Sequence, residues 1–466
     1  MSLQEKIATN NLSNQGFKVV ILAAGVGSRM KSSLPKPMHL LGGVPMLEHL
    51  LYKAHILNAN QIITVIGEEA SDLKQFLENY QQNFKKEQAA KQSDKQQNCR
   101  HKIAYQQEKL GSAHAVLAAE QALGAKEGVL LIMYADTPLV HHGALKGLVE
   151  KVQSGKEDMA ILAFSTNSPN NYGKLMLKDD KVIAIIEAAE ITDHRVSTLC
   201  NSGIMAINLA KMWPLLKQID NHNNKHEYYL TDLVKLATQN NLICAYILGE
   251  EQSLQGANTK EELSKLESSF QNMQRQKFLQ QGVHLIDPKT IYFALDTIIE
   301  EDVIIYPNVY FGEKVIIKSG ARILPFCVLE GVQVGKSSSI GPFARLRPGT
   351  ILEENTHIGN FVEIKKSHIQ AGAKINHLSY IGDAKVGKKT NIGAGTITCN
   401  YDGKEKFNTI IEDNCFIGSN SSLVAPVKIS SGAIIGAGST ITKDVPTDAL
   451  AITRPLQKNL PNWRKK

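Results

Sequence analysis

The sequence has no apolar run approaching the length of a membrane span, and its opening residues, MSLQEKIATNNLSNQ, contain no hydrophobic signal region. Both absences point to a cytoplasmic protein with no membrane partner. Six cysteines (Cys99, Cys200, Cys244, Cys327, Cys399 and Cys415) lie far apart, with no CxxC pair. They read as reduced thiols, with neither a disulfide framework nor a zinc site. Charge of one sign is also scarce: the net +7 is small for 466 residues and is concentrated towards the basic C-terminal tail, Lys458 to Lys466. Anionic small molecules account for that excess as well as nucleic acid does, and no nucleic-acid partner is expected. A composition of 43% hydrophobic and 21% charged residues describes a globular chain, long enough for two or three domains.

What is present is a ladder of period six. Ile299, Ile305, Phe311, Ile317, Ile323 and Leu329 are followed, after a one-residue skip, by Val334, Ile340, Leu346, Leu352, Ile358 and Ile364. Ile369, Ile375 and Ile381 lead to Val386 and Ile392, and the ladder closes in sixes from Ile411 to Ile441. Glycine often follows the ladder residue, as at Gly335, Gly341, Gly359, Gly387 and Gly418. Neither a helix face nor an alternating strand has this period. It predicts hexapeptide repeats in a left-handed parallel β-helix, roughly six to eight coils of three short strands, with glycine letting the corners bend. A β-sandwich with accidental spacing would not hold the register for so many hexads.

The N-terminal half alternates strand and helix patterns. Strands are expected near 18–24, 61–66, 103–107, 129–134, 159–165, 174–177, 183–187 and 202–208, with helices from about Pro45 and over 71–80. That order predicts an α/β unit with a parallel sheet and helices on both faces. Residues 1–16 read as a disordered extension, 17–257 as the α/β domain, 258–282 as a helical linker and 283–466 as the β-helix with its basic tail. The linker helix places Leu263, Leu266, Phe270 and Met273 along one stripe, with Thr259 and Glu262 at capping-box spacing and Gly282 as its stop. The Gln- and Lys-rich stretch 78–102, with its insertion at 81–100, reads as solvated.

Two constellations carry chemistry. Gly25 and Gly27 follow the first strand, and Arg29, Lys31 and Lys36 lie in the same loop. The loop lacks the third glycine of a dinucleotide fingerprint and the ending of a P-loop. Its three cations at the carboxyl edge of a sheet nonetheless suit a polyanion. Asp136 ends the apolar strand 129–134, where a carboxylate can hold Mg²⁺ against phosphates. Asn258 precedes Thr259, the better helix cap, which leaves the Asn258 side chain free for a ligand. In the second half, residues off the ladder include Arg347, Glu363, Lys365, His377, Tyr380, Asn391 and Ala394. Lys365, His377 and Asn391 are 12 and 14 positions apart, so they come from neighbouring coils or from faces that meet across subunits. The rhythm breaks between Asn400 and Thr409, marking a loop thrown out of the prism.

Leu22-Ala-Ala-Gly-Val-Gly-Ser-Arg-Met30 with Leu34-Pro-Lys36 resembles the signature loop of sugar-nucleotide pyrophosphorylases, which implies an α/β Rossmann-like nucleotidyltransferase domain. With the hexads attached, the chain resembles the bacterial bifunctional family that joins an N-acetylglucosamine-1-phosphate uridyltransferase to a glucosamine-1-phosphate N-acetyltransferase. Members supply UDP-N-acetylglucosamine for peptidoglycan and lipopolysaccharide synthesis. The resemblance implies that Leu22 and Gly25 hold the nucleotide and that Arg29 and Lys36 act on phosphate. It further implies that Gln106, Gly111 and Ser112 recognise uracil, and that Tyr134, Gly173, Glu187 and Asn201 line the sugar site. Asp136 and Asn258 would ligate Mg²⁺. In the β-helix, Arg347, Lys365, Tyr380 and Asn391 would bind the sugar phosphate. His377 would be the general base, oriented or charge-stabilised by Glu363. Ala394, Asn400, Tyr401, Ser419, Ala437 and Arg454 would line the acetyl-CoA site, with the Ala394 amide facing the oxyanion. The implied substrates are UTP, the two sugar phosphates and acetyl-CoA, and the implied assembly is a homotrimer. Two other readings are a single-activity pyrophosphorylase whose β-helix only assembles it, and a non-catalytic subunit resembling part of a translation-factor exchange complex. His377, Asn400, Tyr401 and Arg454 disfavour the first, and Arg29, Lys36 and Asp136 the second.

Overall fold

The computed structural model describes residues 16–25, 27–90, 99–166, 172–188, 191, 198–223, 225–461 and 463–465. Residues 1–15, read above as a disordered extension, and most of the 81–100 insertion beyond Ala90 lie outside the described residues. The chain divides into two compact units between Ser269 and Phe270.

The first unit is built on β1 (Phe17–Leu22), α1 (Met46–Ile56), β2 (Gln61–Gly67), α2 (Ser71–Ala90), β3 (Arg100–Gln106), α3 (Ser112–Ala118), β4 (Val129–Tyr134) and α4 (His142–Gln153). There follow β5 (Met159–Ser165), β6 (Lys174–Lys178), β7 (Lys181–Ile186), β8 (Leu199–Asn208), α5 (Leu209–Leu216), α6 (Asp232–Gln239), β9 (Cys244–Leu248) and α7 (Lys260–Gln280), whose residues from Phe270 onward belong to the second unit. The main sheet runs β9-β5-β8-β4-β1-β2-β3. Successive side chains of a strand point to opposite faces. In β1, Phe17, Val19 and Ile21 therefore join one core with Leu47 and Leu50 of α1 and Leu145 and Leu148 of α4. Val20 and Leu22 join the other with Ala113 and Val116 of α3 and Leu233 of α6.

β1 pairs in parallel with β4 on one side and β2 on the other. The strand order reverses there, so the loops leaving β1 and β4 part and open a crevice at their carboxyl ends. The sheet is mixed rather than parallel throughout, because β8 runs antiparallel to both β4 and β5. Only the β6–β7 hairpin, and no helix among the described residues, precedes β8 after β5. An antiparallel return needs no helical crossover.

Two readings of the polar helices change. α2 runs to Ala90 instead of ending near residue 80, since Gln, Lys, Glu and Ala are good helix formers. The stretch is not merely solvated: Phe84 stacks on His55 with ring centroids 3.7 Å apart. In α7, the Glu262 amide donates to Thr259 Oγ1 at 3.1 Å, and Gly282 ends the helix at φ 84°. Met273, however, is exposed, and the inward stripe carries Leu266, Phe270, Gln271, Gln274, Arg275 and Phe278. Gln271 and Arg275 are buried because backbone carbonyls at Phe293 and Ile291 accept their hydrogen bonds.

The second unit is a three-faced parallel β-helix, with faces of ten, eight and eight strands, which gives eight full coils among the described residues. Its register stacks the ladder on itself, Ile305 on Ile323, Ile340 and Ile358. Ladder side chains such as Ile317, Ile358 and Ile417 are completely buried. The spacing between coils is not fixed at 18. Asn360 registers with His377 and Glu363 with Tyr380, a step of 17 residues.

Glycine after the ladder residue has a different cause from the one expected. Of those named above, only Gly341 has positive φ. Corners in the left-handed conformation are filled by residues such as Asn308, Asn355, Asn414 and Asn420. A Cβ on Gly359 would lie 1.9 Å from the Asn376 carbonyl oxygen of the next coil. Glycine is required there because backbone stacks on backbone, and the neighbour cannot swing aside. Gly359→Ala should therefore destabilise the β-helix by about 1–3 kcal/mol, as overpacking of a rigid core does. Denaturant unfolding of the variant measures this, and a midpoint equal to that of the parent would refute the stacking argument.

Candidate active sites in each unit

The crevice at the switch point holds a cavity of about 360 Å³. Of the residues expected at a site, Leu22, Gly25, Lys36, Gln106, Gly111, Ser112, Tyr134 and Asp136 all line it. Lys109 and Glu227 line it too, and sequence reasoning missed both. Lys109 had a signal, a cation in a loop at the carboxyl edge; Glu227 had none.

The Lys36 ammonium is the centre of this site. It lies 2.5 Å from Asp136 Oδ2 and 2.7 Å from Asn258 Oδ1. The Asn258 side chain is thus engaged rather than free. The Asn258 backbone N–H donates to Glu262 Oε2 at 2.5 Å, which fixes the start of α7. The Ala257 amide donates to the Asp136 carbonyl. Arg29 sits exposed on a short turn over Ser28–Met30 and does not line the cavity.

Among the residues expected to meet uracil, Gln106 is buried, and its Nε2 lies 3.3 Å from the Gly111 carbonyl and 3.2 Å from His114 Nδ1. Gly111 opens α3 at φ 111°, where a Cβ would strike the Tyr228 backbone at 2.6 Å. Ser112 Oγ accepts from the Leu230 amide at 3.0 Å. The expected sugar residues form a second group. The Asn201 amide donates to the Gly173 carbonyl at 2.8 Å, Asn201 Oδ1 accepts from Gly203, and Thr231 donates to Glu187 at 2.8 Å. Tyr134 links the groups: it hydrogen-bonds Ser112, and desolvation, with the Asp136 and Glu187 charges, pushes its phenol up to about 12. It therefore stays a neutral donor.

In the β-helix, the off-ladder residues sort by face. His377 Nδ1 is 2.7 Å from Asn360 Oδ1, directly beneath it in the 17-residue register. Glu363 is engaged elsewhere: Arg347 Nη1 is 2.8 Å from Glu363 Oε1. The pairing expected between Glu363 and His377 is replaced by one with Asn360, because the register puts Glu363 under Tyr380 on the next face. Lys365 stands beside Lys406 and Arg347, and its ammonium is shifted down, first by the contact with Lys406 and then by the charges. Lys406, which sequence reasoning missed, returns on the 400–407 loop. That loop closes through the Phe407 amide to the Asn400 carbonyl at 2.9 Å and through Tyr401 paired with Lys406. Asn400 is buried and anchors the loop to Asp383 at 2.5 Å, whereas Tyr401 is exposed.

Ala394, Ser419, Ala437 and Arg454 form a column up one corner. Gly395 donates to the His377 carbonyl at 3.3 Å, Asn420 to Ala394 at 2.7 Å and Gly438 to Ser419 at 2.8 Å, and Arg454 reaches the Ala437 carbonyl. Among the described residues the Ala394 amide meets no acceptor. Asn391 lies apart from the other sugar-phosphate candidates, on the face that carries Lys374 and Phe416.

Comparison with known proteins agrees with both halves. Residues 19–202 match the MobA-like NTP transferase domain. Residues 296–331 match the bacterial transferase hexapeptide, and residues 408–443 the hexapeptide repeat of succinyl-transferase. The bifunctional protein GlmU of Paramagnetospirillum magneticum is 42% identical over 458 residues, covering 98% of this chain and 97% of that protein. That of Zymomonas mobilis is 44% identical, covering 97% of each. That of Bartonella quintana is 42% identical, covering 94% of each. With both units matched end to end at this identity, the chain belongs to the family of the bifunctional protein GlmU.

Proposed function

We propose that the first unit transfers uridylyl from UTP to N-acetylglucosamine-1-phosphate, releasing pyrophosphate, and that the second acetylates glucosamine-1-phosphate from acetyl-CoA. The two reactions in the order acetyl, then uridylyl, yield UDP-N-acetylglucosamine for peptidoglycan and lipopolysaccharide synthesis in the cytoplasm. The single observation that carries the first assignment is the convergence of the Asp136 and Asn258 oxygens on the Lys36 ammonium, where Lys36 and Asp136 line the switch-point cavity.

In uridylyl transfer the sugar phosphate oxygen is already an anion, so the site needs alignment and charge neutralisation more than proton transfer. Lys36 supplies a fixed positive charge, and Lys109, which also lines the cavity, can meet further phosphate oxygens; Arg29, outside the lining, would have to turn inward to join them. Gln106, Gly111 and Ser112 face the base, and Gly173, Glu187 and Asn201 the amino sugar. Asp136 and Asn258 fit Mg²⁺, because their two oxygens already converge on one cation, the Lys36 ammonium. Bound there, the ion would neutralise phosphate charge.

In acetyl transfer, His377 takes a proton from the glucosamine amine as it attacks the thioester carbonyl. Asn360 Oδ1 can only accept, so it fixes the proton on Nδ1 and leaves Nε2 facing the amine. The Ala394 amide is the donor for the oxyanion. Arg347, Lys365 and Lys406, with Tyr380, take the sugar phosphate. Ala394, Asn400, Tyr401, Ser419, Ala437 and Arg454 take acetyl-CoA. Asn391 joins this site only if it comes from a neighbouring copy. A homotrimer is supported by an exposed apolar ridge beside His377: Phe326, Phe343 and Phe361 stack at 4.8 and 5.2 Å and lead to Leu378.

Three tests follow from these assignments. Asp136→Ala should lower pyrophosphate release from UTP at least about 100-fold and spare thiol release from acetyl-CoA, and His377→Ala should do the reverse. Two folded variants that each lost both activities would sink the two-site reading. Lys406→Ala should raise KM for glucosamine-1-phosphate with little change in kcat, whereas Asn360→Ala should lower kcat; a lowered kcat in Lys406→Ala would remove it from the phosphate grip. Phe343→Asp should yield monomers that keep uridylyl transfer and lose acetyl transfer. Sedimentation together with the two assays decides that point, and a fully active monomer would refute a shared acetyl-transfer site.

A further inference from the structure

Three metal-seeking side chains meet at the end of β3 away from the nucleotide cavity. His55 comes from the last turn of α1, and Cys99 and His101 from the chain entering β3. His55 Nε2 and His101 Nε2 are 2.9 Å apart. One ring nitrogen of each histidine and the Cys99 sulfur all lie within 4.8 Å of one another. Cys99 and His101 are two positions apart in extended chain, which puts both on the same side of the strand. Gln106, which lines the cavity, is five residues beyond His101, about 16 Å along a strand.

We infer that His55, Cys99 and His101 form a binding site for a borderline-soft divalent transition metal, zinc being the natural occupant. This reverses the expectation of no zinc site. That expectation rested on ligand spacing along the chain, and the third ligand here lies more than forty residues earlier in sequence. Two imidazoles and a thiol select zinc or its neighbours and disfavour Mg²⁺, which prefers oxygen. Zinc–nitrogen and zinc–sulfur bonds of about 2.0–2.3 Å place tetrahedral ligands roughly 3.3–3.6 Å apart. The observed spread needs only small side-chain adjustment to reach that.

The surroundings suit the ion. Burial, and then the neighbouring His101, push His55 down to about 3, so its ring is neutral and available as a ligand at physiological pH. Phe84 covers the His55 ring at 3.7 Å, with 21° between the planes, and fixes its orientation. Burial pushes the Cys99 thiol up to about 11, so without metal the sulfur keeps its proton. On binding, the S–H bond breaks, the sulfur–metal bond forms and one proton leaves to solvent. The imidazoles remain neutral, each keeping its proton on the nitrogen that does not ligate, and the hydrogen bond between them is given up. Three protein ligands leave the fourth position to water. The ion would brace the end of α1 against the edge strand of the sheet.

The test uses the full-length protein, stripped with a chelator and titrated with Co²⁺. One Co²⁺ per chain should bind with a thiolate-to-cobalt charge-transfer band and release of about one proton. Cys99→Ser should abolish the band, and His55→Gln should weaken binding at least about tenfold. Zn²⁺ should displace the cobalt and slow modification of Cys99 by a thiol reagent. Cys99→Ser should keep its Mg²⁺-dependent uridylyl transfer, which separates this site from the cavity. Binding without a thiolate band, or the same band in Cys99→Ser, would overturn the proposal.

Discussion

Parallel pairing is the constraint on which both units depend. When neighbouring strands run the same way, every carboxyl end falls on the same side, and the loops that follow are gathered there. In the first unit this collects the Gly25 loop, the turn after Gln106 and the Asp136 turn at one edge, where the β1–β4 and β1–β2 pairings part. In the second unit the same rule works along the axis: residues one coil apart in sequence become neighbours in space. The corner column of His377, Ala394, Ser419 and Ala437 exists only because the coils keep their register. A slip of one residue would turn ladder side chains outward and disperse that column.

The two cationic clusters proposed to bind phosphate are built differently. Lys36 is mostly buried and its charge is already met by a carboxylate and an amide oxygen. A substrate phosphate must therefore compete for it, or a metal must take over the oxygens. Desolvation makes an unpaired ammonium costly in such a place, so the pairing keeps the empty site stable. Lys406 is exposed and Lys365 and Arg347 are half-buried, and among the described residues Glu363 pairs with Arg347. Their mutual repulsion is tolerable in water and is relieved when an anion binds.

Much of this was legible in the sequence, and the limits have physical causes. The six-residue ladder fixed the β-helix because its period has no other common structural source, and the Gly25 loop and Asp136 fell where a switch point needs them. The period could not reveal why Gly359 is glycine, since that depends on the carbonyl of another coil. Nor could it name the partner of His377: the resemblance implied Glu363, whereas the 17-residue step sets Asn360 beneath the ring. Lys406 was hidden because the loop carrying it leaves the ladder. The antiparallel β8 and the Gln271 and Arg275 side of α7 departed from pattern for a shared reason. Each depends on long-range hydrogen bonds that hydrophobic periodicity does not record.

The contact between His377 and Asn360 bears on how a solenoid could hold the catalytic base proposed at His377. A carboxylate next to imidazole would put a negative charge where an acetyl-transfer site must also admit a phosphorylated sugar and a phosphorylated coenzyme. An amide orients the ring through a single accepted hydrogen bond and adds no charge. Glu363, the carboxylate close at hand in sequence, is kept on the neighbouring face by Arg347, whose own charge it partly cancels. The rigid prism makes this division possible: faces a few residues apart are held at fixed angles, so base and phosphate grip can be tuned separately. Such an arrangement leaves the imidazole one open nitrogen and a single direction in which to use it.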